Sequence, residues 1–117
     1  MEANKPFMKN VVEAIRTMQH AVHKNAVDHG WWEGERSDGE LIALQHAELS
    51  ECLEALRDGN QESEKLPGFC CAEEELADVV IRVMDHCEAR GWRLGAAIVA
   101  KHEFNKGRSY KHGGKEF

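Results

Sequence analysis

Four acidic residues of this sequence form two pairs with identical spacing. Glu48 precedes Glu51 by three positions, and Glu75 precedes Asp78 by three positions. Side chains three positions apart project together from a helix, so each pair would direct two carboxylates toward one point. Carboxylate oxygens are the ligands that Mg²⁺ prefers. If the two helices are adjacent and antiparallel, the pairs predict a hard, oxygen-rich metal site.

Each pair also has a simpler interpretation. Glu75 and Asp78 belong, with Arg82 and Asp85, to a polar stripe that taken alone is typical of a solvated helix face. Glu48 borders the apolar side of its helix, where a carboxylate is costly unless a cation or hydrogen bonds compensate it. The metal-site interpretation therefore depends on the two pairs acting together.

A basic segment follows the acidic pairs. Lys101, Asn105 and Arg108 are separated by four and three positions, so they share one helix face, and Lys111 comes shortly after them. Cationic and amide groups opposite metal-binding acids are what a di- or triphosphate needs. Taken alone, the basic residues would instead complement the macrodipole at the end of a helix.

The charge of the chain is distributed unevenly. Its 117 residues include 15 Lys and Arg against 21 Asp and Glu, a net charge of −6, which argues against a stable nucleic-acid partner. Residues 47–78 contain ten acids and two bases, whereas residues 101–117 contain five bases and two acids. A metal ion with a phosphate would bring these regions together, and so would simple self-complementarity.

Hydrophobic periodicity predicts four helices that would position these residues. They cover residues 7–29, 39–57, 71–89 and 93–106. Ser37 with Glu40 has the form of a capping box before the second helix, and Gly91 would end the third. We find no convincing strand. Short connections indicate an all-α four-helix bundle in a single domain, with residues 109–117 as an extended tail.

The sequence has none of the features of a membrane or secretory protein. The longest uninterrupted apolar run, residues 96–100, is far shorter than a membrane span. Residues 1–5 are polar and lack the apolar region of a signal peptide. The four cysteines have no CxxC spacing, and we expect reduced thiols. The sequence therefore predicts a cytoplasmic protein without a membrane partner.

The two acidic pairs have a counterpart in a known family. The sequence Glu48-Leu-Ser-Glu51, twenty-three intervening residues and then Glu75-Leu-Ala-Asp78 resembles the ExxE…ExxD signature of MazG-type nucleotide pyrophosphohydrolases. That family belongs to the all-α nucleoside triphosphate pyrophosphohydrolase superfamily. Residues 101–115 also resemble the family's C-terminal segment, and the resemblance extends over residues 41–117. Either acidic pair alone would be a weak signal, but both followed by the basic segment are considerably stronger.

The resemblance implies an enzyme that hydrolyses a nucleoside triphosphate, or its deoxy form, between the α and β phosphates to a monophosphate and pyrophosphate. It implies that four carboxylates bind Mg²⁺, for which Mn²⁺ would substitute: Glu48, Glu51, Glu75 and Asp78. Such an ion neutralises phosphate charge, orients the substrate and acidifies a water molecule. Glu48 and Glu51 would be catalytic, and we choose Glu51 as the general base.

The same resemblance implies how the substrate is held and how the fold is completed. The residues that grip phosphate oxygens would be Lys101, Asn105, Arg108 and Lys111. A second subunit usually completes such sites in this superfamily, so the four-helix bundle of MazG type would be finished by a homodimer or a dimer of dimers.

The pocket for the nucleobase is less well indicated. Trp31 and Trp32 lie in a Gly-rich stretch after the first predicted helix, where an aromatic ring can stack on a base. Either ring would equally cover the end of the bundle or a subunit interface. His20 and His23 would line the same pocket or face solvent. We expect Trp92, which precedes the fourth helix, to be a core residue.

Two other functions remain open from the sequence. A phosphoribosyl-ATP pyrophosphohydrolase uses related acidic helices, although the basic segment fits that enzyme less well. A non-catalytic helical interaction module would retain the acids for stability alone. The base, the sugar, the number of metal ions and the biological role are not indicated by any motif.

Overall fold

The computed structural model describes residues 5–108, and this part of the chain contains four α-helices. They are α1 (Lys5–Asp28), α2 (Asp38–Arg57), α3 (Cys71–Arg90) and α4 (Leu94–Lys106). The described residues form no strand, only an isolated antiparallel bridge between Glu62 and Cys70. The all-α prediction is confirmed, and each helix begins and ends within two residues of its predicted limits. The predicted tail at residues 109–117, with Lys111, lies outside the described residues.

Local side-chain chemistry explains where the helices begin and end. The Oγ of Ser37 accepts a hydrogen bond from the Glu40 backbone N–H at 3.1 Å, which caps the start of α2. The Cys70 N–H donates to the Glu73 carboxylate at 3.0 Å before α3. Gly91, at φ 72°, takes the left-handed conformation that ends α3.

The helices pack in an open order rather than around one axis. α3 packs on both α1 and α2, while α4 packs on α1. Gly95 allows the last contact, because a Cβ at that position would lie 3.0 Å from the Val12 carbonyl oxygen and 3.2 Å from the Ile15 Cβ. The helices that carry the acidic pairs are therefore neighbours, whereas the basic face of α4 belongs to the α1 side of the molecule.

The single chain has a small hydrophobic core. Among residues 5–108 the buried apolar side chains are Leu41, Cys52 and Cys87. The accessible surface is 8758 Å², against about 6,400 Å² for a compact monomer of this mass. The radius of gyration is 16.9 Å, against about 13 Å for a compact domain of this length. The prediction that Trp92 is a core residue is wrong, since this residue is 50% exposed, and its ring lies tilted by 47° against the His86 ring.

Two adjacent helices leave apolar stripes uncovered. These stripes are Leu49, Leu53 and Leu56 on α2 and Leu76 and Val80 on α3, each between 47% and 53% exposed. Spacings of three and four positions place the members of each stripe on one face of their helix. Within the described part of the chain, no helix is both long enough and apolar enough to cross a membrane.

Candidate metal centre

The packing of α2 on α3 brings the two acidic pairs together. Carboxylate oxygens of Glu48, Glu51 and Glu75 lie within 4.8 Å of one another, and the same holds for Glu74, Glu75 and Asp78. Glu75 belongs to both sets and joins them. Glu74 is an addition to the four predicted residues, and its position directly before the second pair was the available signal. We call these five residues the acidic cluster.

One oxygen of the acidic cluster is buried without a partner. The Oε2 of Glu75 is shielded from solvent and accepts no hydrogen bond from the described residues. A buried carboxylate oxygen without a donor is costly, and native proteins rarely leave one so. The neighbouring atoms that could act as metal ligands are carboxylate oxygens, which suit a hard divalent cation. The chemistry of the ligand set in the acidic cluster is therefore compatible with a hard divalent cation such as Mg²⁺.

The acidic cluster does not readily carry its full negative charge. Burial, the adjacent Glu51 carboxylate and the charges of Asp78 and Glu74 together raise the pKa of Glu75 to about 7. A proton on Glu75 can be shared with Glu51, which would satisfy the unpartnered oxygen. Burial also raises the pKa of Asp78, with Glu48 adding to the shift and Arg82 opposing it. A bound cation would remove this repulsion.

Arg82 compensates the most buried carboxylate of the cluster. Its Nε donates to the Glu48 Oε1 at 2.7 Å, and the two side chains are 31% and 12% exposed. The sequence pattern predicted that Glu48 would need such a partner but assigned Arg82 only to a solvated stripe. A spacing of four positions from Asp78 to Arg82 was the signal that the cation would stand beside the acids.

Two cavities flank the acidic cluster. The first, of about 380 Å³, lies between α1, the following loop, α2 and α3, and its lining includes Trp31, Glu48, Asp78, Arg82 and Asp85. The second, of about 450 Å³, lies on the side of the loop between α2 and α3. Its charged lining residues are Asp58, Glu62, Glu64, Lys65, Glu74 and Glu75. The first cavity is thus the less acidic of the two.

The two tryptophans of the α1–α2 loop have different surroundings. Trp31 lines the first cavity, and the Arg36 guanidinium carbon lies 3.7 Å from the centre of its ring. The Nε1 of Trp32 instead donates to the buried carboxylate of Asp85. Trp31 is therefore the ring that stands beside the acidic cluster, while the polar edge of Trp32 is engaged in the fold.

The two predicted histidines also separate. The Nδ1 of His23 lies 2.7 Å from the Asp85 Oδ1, which joins it to the same buried carboxylate as Trp32. His20 pairs with Glu88 and lines a different cavity of about 370 Å³ near the start of α4. The structure thus does not bring His20 to the cavity that contains Trp31.

Two of the predicted phosphate-binding residues, Lys101 and Arg108, lie near an exposed aromatic ring on α4. The Lys101 Nζ lies 4.7 Å and the Arg108 guanidinium carbon 5.9 Å from the centre of the Phe104 ring. Phe104 is 62% exposed, and Asn105 is also exposed. Because α4 packs on α1, this basic face and the acidic cluster belong to different helix pairs of one chain.

The site as described can hold a hard cation against carboxylates and can offer a guanidinium and an aromatic ring in the cavity beside it. These are the components that an anionic ligand with a ring system requires. No protein-family model, curated protein or solved structure matches this chain.

Proposed function

We propose that this protein is a Mg²⁺-dependent nucleoside triphosphate pyrophosphohydrolase of MazG type. The observation that supports the proposal most is the position of Glu75, which belongs to both sets of neighbouring carboxylates and whose Oε2 is buried without a partner among the described residues. When Glu75 is ionised, this oxygen has no donor among the described residues, and a bound cation would satisfy it. The substrate would be a ribo- or deoxyribonucleoside triphosphate, cleaved between the α and β phosphates.

The carboxylates would have two roles, metal binding and proton transfer. Glu48, Glu51, Glu75 and Asp78 would hold the ion, which would neutralise phosphate charge when bound. Glu51 is the exposed member of the first set, whereas Glu48 is buried and paired with Arg82. Access to solvent favours Glu51 as the group that takes a proton from the attacking water.

A homodimer would complete the fold and the site. The described part of the single chain leaves the apolar stripes of α2 and α3 about half exposed, and contiguous exposed apolar surface is typical of an interaction site. Joining the apolar stripes of two copies would cover Leu53 and its neighbours. It could also bring α4 of the second copy, with its basic face, toward the acidic cluster, and a dimer of dimers would extend the same arrangement.

Product analysis tests the proposed activity. The purified protein would be incubated with Mg²⁺ and a panel of nucleoside triphosphates, deoxynucleoside triphosphates and phosphoribosyl-ATP. We expect one pyrophosphate for each monophosphate formed, and a preference for phosphoribosyl-ATP would favour the alternative enzyme. Release of orthophosphate alone, or no product from any nucleotide, would contradict the proposal.

A further inference from the structure

We propose that Arg82 changes partner during binding: it pairs with Glu48 in the metal-free protein and contacts a substrate phosphate once a metal ion has taken over Glu48. This inference rests on the proposed function and names a phosphate-binding residue within it. Arg82 would then be supplied by the same chain as the acidic cluster, unlike the basic face of α4.

Competition for Glu48 is the first reason. The Arg82 Nε donates a hydrogen bond to the Glu48 Oε1 at 2.7 Å, and this carboxylate is largely buried. A divalent ion held by the same carboxylate draws electron density from it and repels the guanidinium. The bond that compensates Glu48 without metal therefore weakens when metal is bound, and Arg82 becomes available to another anion.

The surroundings of Arg82 provide the second reason. Its side chain lines the cavity of about 380 Å³ beside the acidic cluster, and its guanidinium carbon lies 5.0 Å from the centre of the Trp31 ring. A guanidinium has five N–H donors, and the bond to Glu48 uses one of them. The remaining donors have the planar arrangement that recognises phosphate oxygens.

The opposite side of the cluster is a poorer entrance for an anion. Lys65 is the cation in the second cavity, where it stands among five acids that line the same space. The first cavity has Arg82 with three acids. A triphosphate that arrives with its metal would therefore meet less repulsion on the Arg82 side.

Metal binding without nucleotide separates partner exchange from simple support of Glu48. Mn²⁺ binding would be measured by electron paramagnetic resonance in the wild type, Arg82→Gln and the control Arg57→Gln, which removes an exposed arginine paired with Glu54 on α2. We expect Arg82→Gln to bind Mn²⁺ on the order of tenfold more tightly, because a competing cation is gone. Its kcat/KM should fall on the order of 100-fold through the lost phosphate contact, and Arg57→Gln should match the wild type in both measurements.

The possible results are distinct. Weaker Mn²⁺ binding in Arg82→Gln would show that Arg82 only positions Glu48. Unchanged Mn²⁺ binding with unchanged kcat/KM would show that Arg82 neither competes with the metal nor contacts the phosphate. Each of these results overturns the inference. If the wild type is active, these results leave the proposed function intact. If the wild type neither binds Mn²⁺ nor releases pyrophosphate, the proposed function fails and the inference fails with it.

A second measurement uses the wild type and does not depend on the folding of a variant. The Nε–H of Arg82 would be followed by nitrogen–proton NMR, with its signal assigned by its loss in Arg82→Lys. We expect slow exchange with water in the metal-free protein, faster exchange on adding Mg²⁺, and renewed protection on adding a non-hydrolysable triphosphate analogue. Protection that is unchanged by Mg²⁺ would overturn the inference.

Discussion

The indole Nε1 of Trp32 donates to both carboxylate oxygens of Asp85, at 2.9 Å and 3.1 Å. These residues are 53 positions apart, and their bond joins the loop after α1 to the buried side of α3. His23 contacts the same carboxylate, so Asp85 links three segments around the first cavity. The loop that carries Trp31 is therefore held in place by its neighbour Trp32.

Trp32→Phe should reduce stability because it removes this link while keeping an aromatic ring. The Asp85 carboxylate is buried, at 7% exposure, and loss of a donor to such a group costs about 1–3 kcal/mol. The free energy of unfolding would be measured by urea denaturation. Trp31→Phe is the matched control, since the indole nitrogen of Trp31 has no hydrogen-bond partner in residues 5–108. Equal stability of the two variants would contradict the prediction.

Glu75 should make the metal-free protein less stable as the pH rises. Its pKa in the fold is about 7, above the ordinary value of 4.5, so between these values the folded state holds the proton that the unfolded state releases. The stability that this proton contributes is fully present below pH 4.5 and is lost as the pH rises through 7. Asp78 adds a shift of the same direction.

Thermal unfolding in EDTA at pH 5 and pH 7.5 measures this effect. Glu75→Gln should show a smaller difference in Tm between the two pH values than the wild type, because its side chain cannot ionise. The control is Glu13→Gln, which removes an exposed acid from α1 and should behave as the wild type. An undiminished difference in Glu75→Gln would show that other groups cause the pH dependence.

Mg²⁺ should raise the Tm of the wild type through preferential binding to the folded state. The increase should be absent in Glu48→Gln, and turnover should fall on the order of 100-fold with the loss of a metal ligand. The amide of Glu48→Gln is uncharged, so its hydrogen bond with Arg82 is weaker than that of the carboxylate. The metal-free variant should therefore also lose about 1 kcal/mol of stability. Turnover at the wild-type level would exclude Glu48 from the site.

Leu53→Glu should convert the proposed homodimer into a monomer. Leu53 is 49% exposed in the single chain, and a charge there would be buried between two copies without a partner. Mass would be measured by light scattering after size exclusion. The control is Phe7→Glu, at a side chain of α1 that is 65% exposed, which should retain the wild-type mass. A monomeric wild type would contradict the proposed assembly.

Several features of the site follow from local sequence patterns. The limits of α2 and α3 were predictable because caps and apolar periodicity depend on residues three or four positions apart. The same spacing indicated that Glu48 and Glu51 would project together, as would Glu75 and Asp78. It also predicted that Glu48, at the border of an apolar stripe, would require compensation.

Other features depended on which helices became neighbours. The sequence did not indicate that Arg82 would compensate Glu48, since these residues are 34 positions apart. It left open whether His20 would share a pocket with Trp31 or face solvent, and in the fold His20 is largely exposed and lines a different cavity. The sequence likewise did not indicate that Trp92, between α3 and α4, would be 50% exposed, with its ring 5.2 Å from the His86 ring.

By itself, the sequence determined four helices and the two carboxylate pairs on α2 and α3, because helix formation and side-chain direction are decided within one or two turns. Only the tertiary structure decided that Glu75 joins both sets of acids, that its Oε2 is buried without a partner, and that Arg82 stands against Glu48. These contacts come from the packing of α3 against α2. Burial and neighbouring charge, which raise the pKa of Glu75, exist only after that packing.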